Sequence, residues 1–167
     1  MAIVVDTKDC TALSDAELGE MADICADGPA RYDVGLLSKQ CEEWVLVTQA
    51  HESNKLLGFS FCTLERIGGT PSVLIGLASV KRNGKRDAVL KALVGDQLRR
   101  AVLAFPDEDV LVGTRLLAAL ESRRVQSCGE RQIRNLLGHA PDRLLVALTA
   151  PIQGYCYKAV MGVLPRR

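Results

Sequence analysis

Three consecutive stretches restrict this chain more than anything else in it. TPSVLIGLASV (70–80) reads as a strand. After the basic turn KRNGK comes a long segment with apolar residues every three or four positions, and then DEDVLVGTRL, β-branched again. The middle segment carries Leu90, Val94, Leu98, Ala101, Val102 and Phe105 on its expected apolar side, with Lys91, Gly95, Asp96, Arg99 and Arg100 away from it. Asp87 before Lys91 and Asp96 before Arg100 are acid-before-base pairs at i, i+4, the order that supports a helix. Strand, long helix and strand in this order call for a right-handed crossover with the two flanking strands parallel.

The residues before this unit point to antiparallel pairing. EWVLVTQA and KLLGFSFCTLERI alternate with a period of two and are separated by the polar HESN, and the turn IGGTP leads into the strand at 70–80. Together they predict a three-strand meander. Further upstream, AIVVDT predicts a first strand. Ser14 with Glu17 three residues later forms a capping box for a helix through Leu18, Met21, Ala22 and Cys25, ended by Gly28 and Pro29. A shorter helix is predicted over 33–43, with Gly35 inside it. After the crossover, LLAALESRRV and ERQIRNLLGHA predict helices, and DRLLVALTA and YCYKAVMGVL predict two closing strands around the turn PIQG. The expected architecture is a single α/β domain over 1–167 with a mixed, mostly antiparallel sheet, one parallel strand pair and flanking helices.

Composition removes several classes of function. The chain has 167 residues, 48% of them hydrophobic and 25% charged, with a net charge of +1, which describes an ordinary globular protein rather than a polyanion binder. Charge is uneven along it: 12 basic and 17 acidic residues up to Gly113, then 9 basic and 3 acidic from Thr114. The bland reading of the Arg-rich tail is a solvated face. Six cysteines without a CxxC pair, beside only two histidines, give no zinc spacing, and reduced thiols are expected. The apolar run near the N-terminus is too short for an export signal and no apolar run approaches a membrane span, so a cytoplasmic chain with no membrane partner is expected. Trp44, Phe59 and Phe61 read as core aromatics. With so few aromatics there is no stacking platform for nucleic acid.

Most catalytic signatures are missing as well. There is no GxGxxG, Walker sequence or HExxH, and GFSFC (58–62) lacks the last glycine of a nucleophile elbow and lies within an alternating strand.

The order of elements, and LASV (77–80) running into KRNGKRDAV (81–89) most of all, resembles the acyl-CoA-dependent N-acyltransferases of the GNAT superfamily. The resemblance covers most of the chain and is strongest over 44–116. It implies that the strand before the long helix offers its backbone to a pantetheine arm. It also implies that a Q/R-x-x-G-x-G/A turn presents orphan amides at a helix N-terminus to a pyrophosphate. Two registers of that turn stay open. With Gly84 as the first glycine, Lys81 falls on the Gln/Arg position and Arg86 on the last Gly/Ala; with the helix aligned, Asp87 and Val89 stand where glycines are usual. In either register side-chain cations can assist the amides, while Asp87 can instead cap or neutralise the helix start.

The resemblance thus implies Ala78, Ser79, Val80, Arg82, Lys85, Arg86 and Ala88 as residues holding acetyl-CoA or another acyl-CoA. The acceptor is expected to be a small-molecule or peptide amine, and a homodimer is among the expectations. For the base and acid that acyl transfer requires, the candidates are Glu65, at a meander strand end, and Tyr155, because the helix expected after the parallel strand has no tyrosine. The competing expectation is a GNAT-like module that binds a ligand or dimerises without catalysis.

Overall fold

A computed structural model of the chain describes residues 2–27, 31–108, 110–115, 144–149, 151–152, 156–157 and 160–163. The two helices expected between 116 and 143, the stop at Gly28 and Pro29, and Tyr155 lie outside the described residues. The described elements are β1 (Val4–Asp9), a 3-10 turn (Cys10–Ala12), α1 (Asp15–Ala26), α2 (Val34–Glu43), β2 (Leu46–Glu52), β3 (Lys55–Ile67), β4 (Thr70–Val80), α3 (Arg86–Ala104), β5 (Val110–Arg115), β6 (Leu144–Thr149), β7 (Pro151–Ile152), β8 (Cys156–Tyr157) and β9 (Val160–Val163). The main sheet has the strand order β1-β2-β3-β4-β5-β6-β9, and β7 pairs with β8 in a separate ribbon. The chain divides into two compact units, 1–63 with 76–97 and 64–75 with 98–167.

In the first unit, β1 and β2 pair antiparallel from Val4↔His51 to Asp9↔Leu46, and β2 and β3 from Leu46↔Cys62 to Glu52↔Lys55. The HESN loop is tighter than its polarity suggested. β2 runs through His51 and Glu52, leaving Ser53 and Asn54 as a two-residue turn with φ of 51° and 61°. Positive φ at both positions is the handedness that suits a twisted hairpin, and a short polar side chain such as that of Asn54 tolerates it best.

α1 begins as its sequence predicted. The Ser14 hydroxyl accepts from the Glu17 amide (3.3 Å), and the Glu17 carboxylate accepts from the Ser14 amide (2.9 Å) and from Lys8. Burial pushes the Glu17 carboxyl up, but the bonds from Lys8 and from the Ser14 backbone and hydroxyl outweigh it and hold the group at about 2. A carboxyl depressed in the folded state contributes stability above its ordinary value, and that contribution disappears as pH falls from there towards 2. Urea unfolding measured from pH 6 to pH 2 is therefore expected to show a smaller acid loss for Glu17→Gln than for the natural chain. Equal slopes would remove this ion pair from the account. α2 is capped in the same way by Asp33, whose carboxylate accepts from the Leu36 amide at 2.8 Å.

Two apolar layers cover the unit's strands. One unites Met21, Ile24 and Cys25 of α1, Leu37 of α2, Val47 of β2, and Leu56, Phe59 and Phe61 of β3, with Trp44 and Leu77 packed against it. The other unites Ala50, Leu57, Val89 and Leu93, with Ile3, Val5 and Val80 against it, so α3 lies over this layer. Phe59 and Phe61 are fully buried core aromatics, whereas Trp44 is half-buried. Cys10, Cys25, Cys41 and Cys62 form no disulfide among the described residues. Burial, followed by the neighbouring Cys41 and Cys62 thiols and Asp9, pushes the Cys10 thiol up to about 12, which marks a packing residue rather than a nucleophile.

The face of α3 departs from the expected stripe. Val89, Leu93, Gln97 and Ala101 form the buried line; Leu98 is buried as expected, but Leu90, Val94, Val102 and Phe105 are only half-buried. The cause is a polar residue that the expected side did not include. The Gln97 amide is 1% exposed and donates to Thr48 Oγ1 and to the Ser60 carbonyl, both at 3.2 Å. Thr7 extends this polar strip, meeting Thr48 at 2.9 Å and donating to Asp96 at 2.8 Å.

In the second unit, the start of β4 runs parallel to β5 from Ser72↔Leu111 to Ile75↔Thr114, the pair that the crossover demanded. A second parallel pair joins β5 to β6, and β9 returns antiparallel to β6. The closing segment YCYKAVMGVL is two strands rather than one: β8 pairs with β7, which starts within the expected turn at Pro151, and only β9 joins the main sheet. Proline fits the first residue of a strand because it has no amide to contribute there. Gly68 and Gly69, at φ 57° and 84°, turn β3 into β4. Beside them Arg66 donates to the Gly69 carbonyl (2.9 Å), grips both oxygens of Glu108 (2.8 and 2.6 Å), and lies 5.1 Å from the Phe105 ring centre. No helix among the described residues is long and apolar enough to cross a membrane.

Candidate functional site

The candidate site is one continuous piece of the first unit: the end of β4, the turn 81–85 and the first turn of α3. β4 stays bound to β3 to its very end, where the Lys81 amide donates to the Leu57 carbonyl at 2.8 Å. Its parallel ladder stops earlier, at Ile75, so Gly76 to Val80 have no parallel partner among the described residues.

Two glycines set how closely this segment is packed. A Cβ on Gly58 would lie 2.7 Å from Val80 Cγ1, 3.0 Å from the Ser79 carbonyl oxygen and 3.0 Å from Val89 Cγ1. β3 therefore meets both the strand end and the helix start at that point. A Cβ on Gly76 would lie 2.4 to 2.9 Å from ring atoms of Trp44. Ser79, half-buried, donates its hydroxyl to the Cys25 thiol; burial pushes that thiol up, with the bonds from Ser79 and the Tyr32 backbone acting against it.

The turn largely satisfies itself. Asn83 Oδ1 accepts from the Lys85 amide (2.9 Å), the Asn83 carbonyl accepts from the Arg86 amide (3.2 Å), and the first full helical bond runs from the Val89 amide to the Lys85 carbonyl (2.9 Å). Of the four amides that a helix start leaves open, those of Asp87 and Ala88 alone find no acceptor among the described residues. Asp87, for which capping or neutralising the helix start was one of the expected alternatives, stands exposed in the first turn, and the Asn83 side chain serves the Lys85 amide just ahead of α3.

The cations divide into two groups. Lys85 Nζ sits 2.7 Å from both carboxylate oxygens of Glu52, on the β2–β3 hairpin, and this bond holds Glu52 below the usual carboxylate range. Lys81, Arg82 and Arg86 are exposed and make no ion pair with any described residue. Among the residues implied by the resemblance, Ala78, Ser79, Val80, Arg82, Lys85, Arg86 and Ala88 are thus gathered on one strand, turn and helix start, with Lys85 already engaged. Glu65 belongs to the second unit, exposed near the end of β3, with no side-chain hydrogen bond or ion pair among the described residues. Asn83 and Glu52 escaped the sequence reading, and Trp44 was read there as a core aromatic only. The Asn-Gly pair inside the basic turn was the available signal for Asn83; nothing local marks Glu52, which is 33 residues away from Lys85. Among the described residues no group of His, Cys, Asp and Glu could hold a metal ion.

This architecture is the GNAT fold, and solved acetyltransferases share it. A ribosomal-protein-alanine N-acetyltransferase from Brucella melitensis biovar Abortus 2308 superposes with a TM-score of 0.55 at 17% identity, over 84% of this chain and 94% of that one. An aminoglycoside acetyltransferase from an uncultured soil metagenomic sample, solved with sisomicin, gives 0.53 at 14% identity over 93% and 95% of the two chains. An aminoglycoside N-acetyltransferase solved with CoA gives 0.52 at 13% identity over 84% and 89%. No protein-family model matches the sequence, and no curated protein matches it either.

Proposed function

We propose that this chain is an acyl-CoA-dependent N-acyltransferase, transferring a short acyl group directly to an amine of a small molecule or peptide, with its two units acting as one GNAT domain. The observation that carries this reading is the start of α3, where two amides without an acceptor among the described residues, Asp87 and Ala88, lie among three cations that make no ion pair with any described residue, Lys81, Arg82 and Arg86. Such a group suits the diphosphate of CoA, because amides and a helix dipole supply direction while the guanidinium groups supply charge. The turn's formal +3 falls to +2 once Glu52 is included, so Lys85 contributes little beyond what its partner cancels.

In this reading the backbone of Ala78, Ser79 and Val80 aligns the pantetheine arm, and the bound acyl-CoA supplies the electrophilic thioester carbon. Glu65 is the candidate acceptor of the amine proton and Tyr155 the candidate donor to the departing thiolate. The fold neighbours solved with CoA and with an aminoglycoside support a CoA thioester and an amine as the substrate pair. Asp87 and the self-capped turn favour the second reading, a ligand-binding or dimerising module without turnover, since a carboxylate about 4 Å from a phosphate costs on the order of 4 kcal/mol at an effective dielectric near 20.

The test is thermal unfolding with and without acetyl-CoA. Saturating ligand at 100 times its Kd is expected to add about 2.7 kcal/mol of stability, and the Arg82→Ala/Arg86→Ala double variant is expected to lose most of that gain. Equal protection of both proteins would reject the assignment of the turn. No protection of the natural chain would reject the reaction class. Thiol release in the presence of a panel of amines then separates an enzyme from a binding module.

A further inference from the structure

Trp44, the chain's sole tryptophan, sits where the proposed acyl-CoA arm ends, and that position gives it a role no catalytic motif supplies. Its indole covers the β4 backbone at Gly76, so closely that a Cβ there would overlap Cζ2 and Cε2 at 2.4 and 2.5 Å. Gly76 is the first residue of β4 beyond the parallel ladder. The ring is also fixed in place. Its Nε1 donates to Gln40 Oε1 at 3.3 Å, its backbone amide donates to the Gln40 carbonyl at 3.0 Å, and it packs with Leu77 against the apolar layer beneath α1 and α2. It remains half-buried rather than enclosed.

The strand itself sets the length scale. Val80 adjoins the basic turn, and four residues of strand at about 3.3 Å each place Gly76 about 13 Å back from it. An extended pantetheine arm whose diphosphate rests on the turn covers a comparable span, so its thioester comes level with Gly76. We infer that Trp44 is the wall that limits the acyl group to short chains, and that the glycine at 76 is required because the indole occupies the space of its side chain. This inference rests on the acyltransferase reading. A rigid aromatic face held by Gln40 and the core cannot retreat as a flexible aliphatic side chain would, so added methylenes meet a surface rather than a yielding gap.

The test titrates the full chain with free CoA, acetyl-CoA and hexanoyl-CoA, reading thermal protection and Trp44 emission together. The natural chain is expected to bind hexanoyl-CoA at least about tenfold more weakly than acetyl-CoA and to shift its emission with acetyl-CoA more than with free CoA. Trp44→Ala is expected to bring the two esters within about threefold, and Trp44→Phe, which keeps an aromatic packing group, to fall between. Protection by free CoA and by both esters alike, with emission unmoved, overturns the wall and leaves the acyltransferase reading standing. Protection by none of the three overturns that reading and the wall with it. An unchanged ester ratio in both variants also overturns the wall.

Discussion

Phe59→Ala is expected to lower the free energy of unfolding by about 3–5 kcal/mol, the range for deleting a large buried aromatic. Phe59 has no solvent exposure, belongs to the layer that joins α1 and α2 to the strands, and meets Phe61 edge to face at 5.8 Å with planes 77° apart. Truncation loses the transfer term and opens a void bordered by Phe61 on a strand that is paired to its neighbours and cannot close the gap. Urea unfolding measures this directly. A double-mutant cycle with Phe61→Ala is expected to show a coupling of about 0.5–1.5 kcal/mol for the ring pair. A loss below about 1 kcal/mol for Phe59→Ala would mean that the layer is not close-packed.

The residue before it makes the opposite test. Gly58→Val adds atoms where the structure has no room: Val80 Cγ1, the Ser79 carbonyl and Val89 Cγ1 all lie within 3.0 Å of the first added carbon. Overpacking of this kind costs about 1–3 kcal/mol, and because all three contacts belong to the strand end and the helix start, the strain falls on the candidate ligand site. Acetyl-CoA protection is therefore expected to disappear in Gly58→Val. Leu93→Ala supplies the control. It lies in the same helix, fully buried, and is expected to cost about 2–5 kcal/mol while keeping the protection. Equal ligand protection in both variants would mean that Gly58 matters for stability alone.

How much of this was legible beforehand depends on how local each cause is. The starts of α1 and α2 were written in Ser14, Glu17 and Asp33 within a few residues of the bonds they make, and the meander was written in its alternation. The parallel β4–β5 pair followed from chain order alone. The expected apolar side of α3 missed Gln97, on which it was silent, because burial of an amide is decided by Thr48 and the Ser60 carbonyl, 49 and 37 residues away, and no periodicity carries that information. The location of the candidate turn was legible; its chemistry was less so. Four cations in the sequence became three without an ion pair among the described residues only when Glu52 was found on Lys85, and the side chain that accepts an amide of the turn proved to be that of Asn83. Glu65 was chosen by its place at a strand end, which fixes exposure but not company.

The two-residue hairpin at Ser53–Asn54 reaches further than its own loop. Because both residues adopt left-handed backbone, Glu52 and Lys55 face each other as the last rung, and Glu52 is delivered to Lys85. Lengthening that hairpin by a single residue would turn the carboxylate aside and leave a fourth uncompensated cation beside α3, so an insertion remote in sequence would act as a dial on how strongly this surface attracts anions.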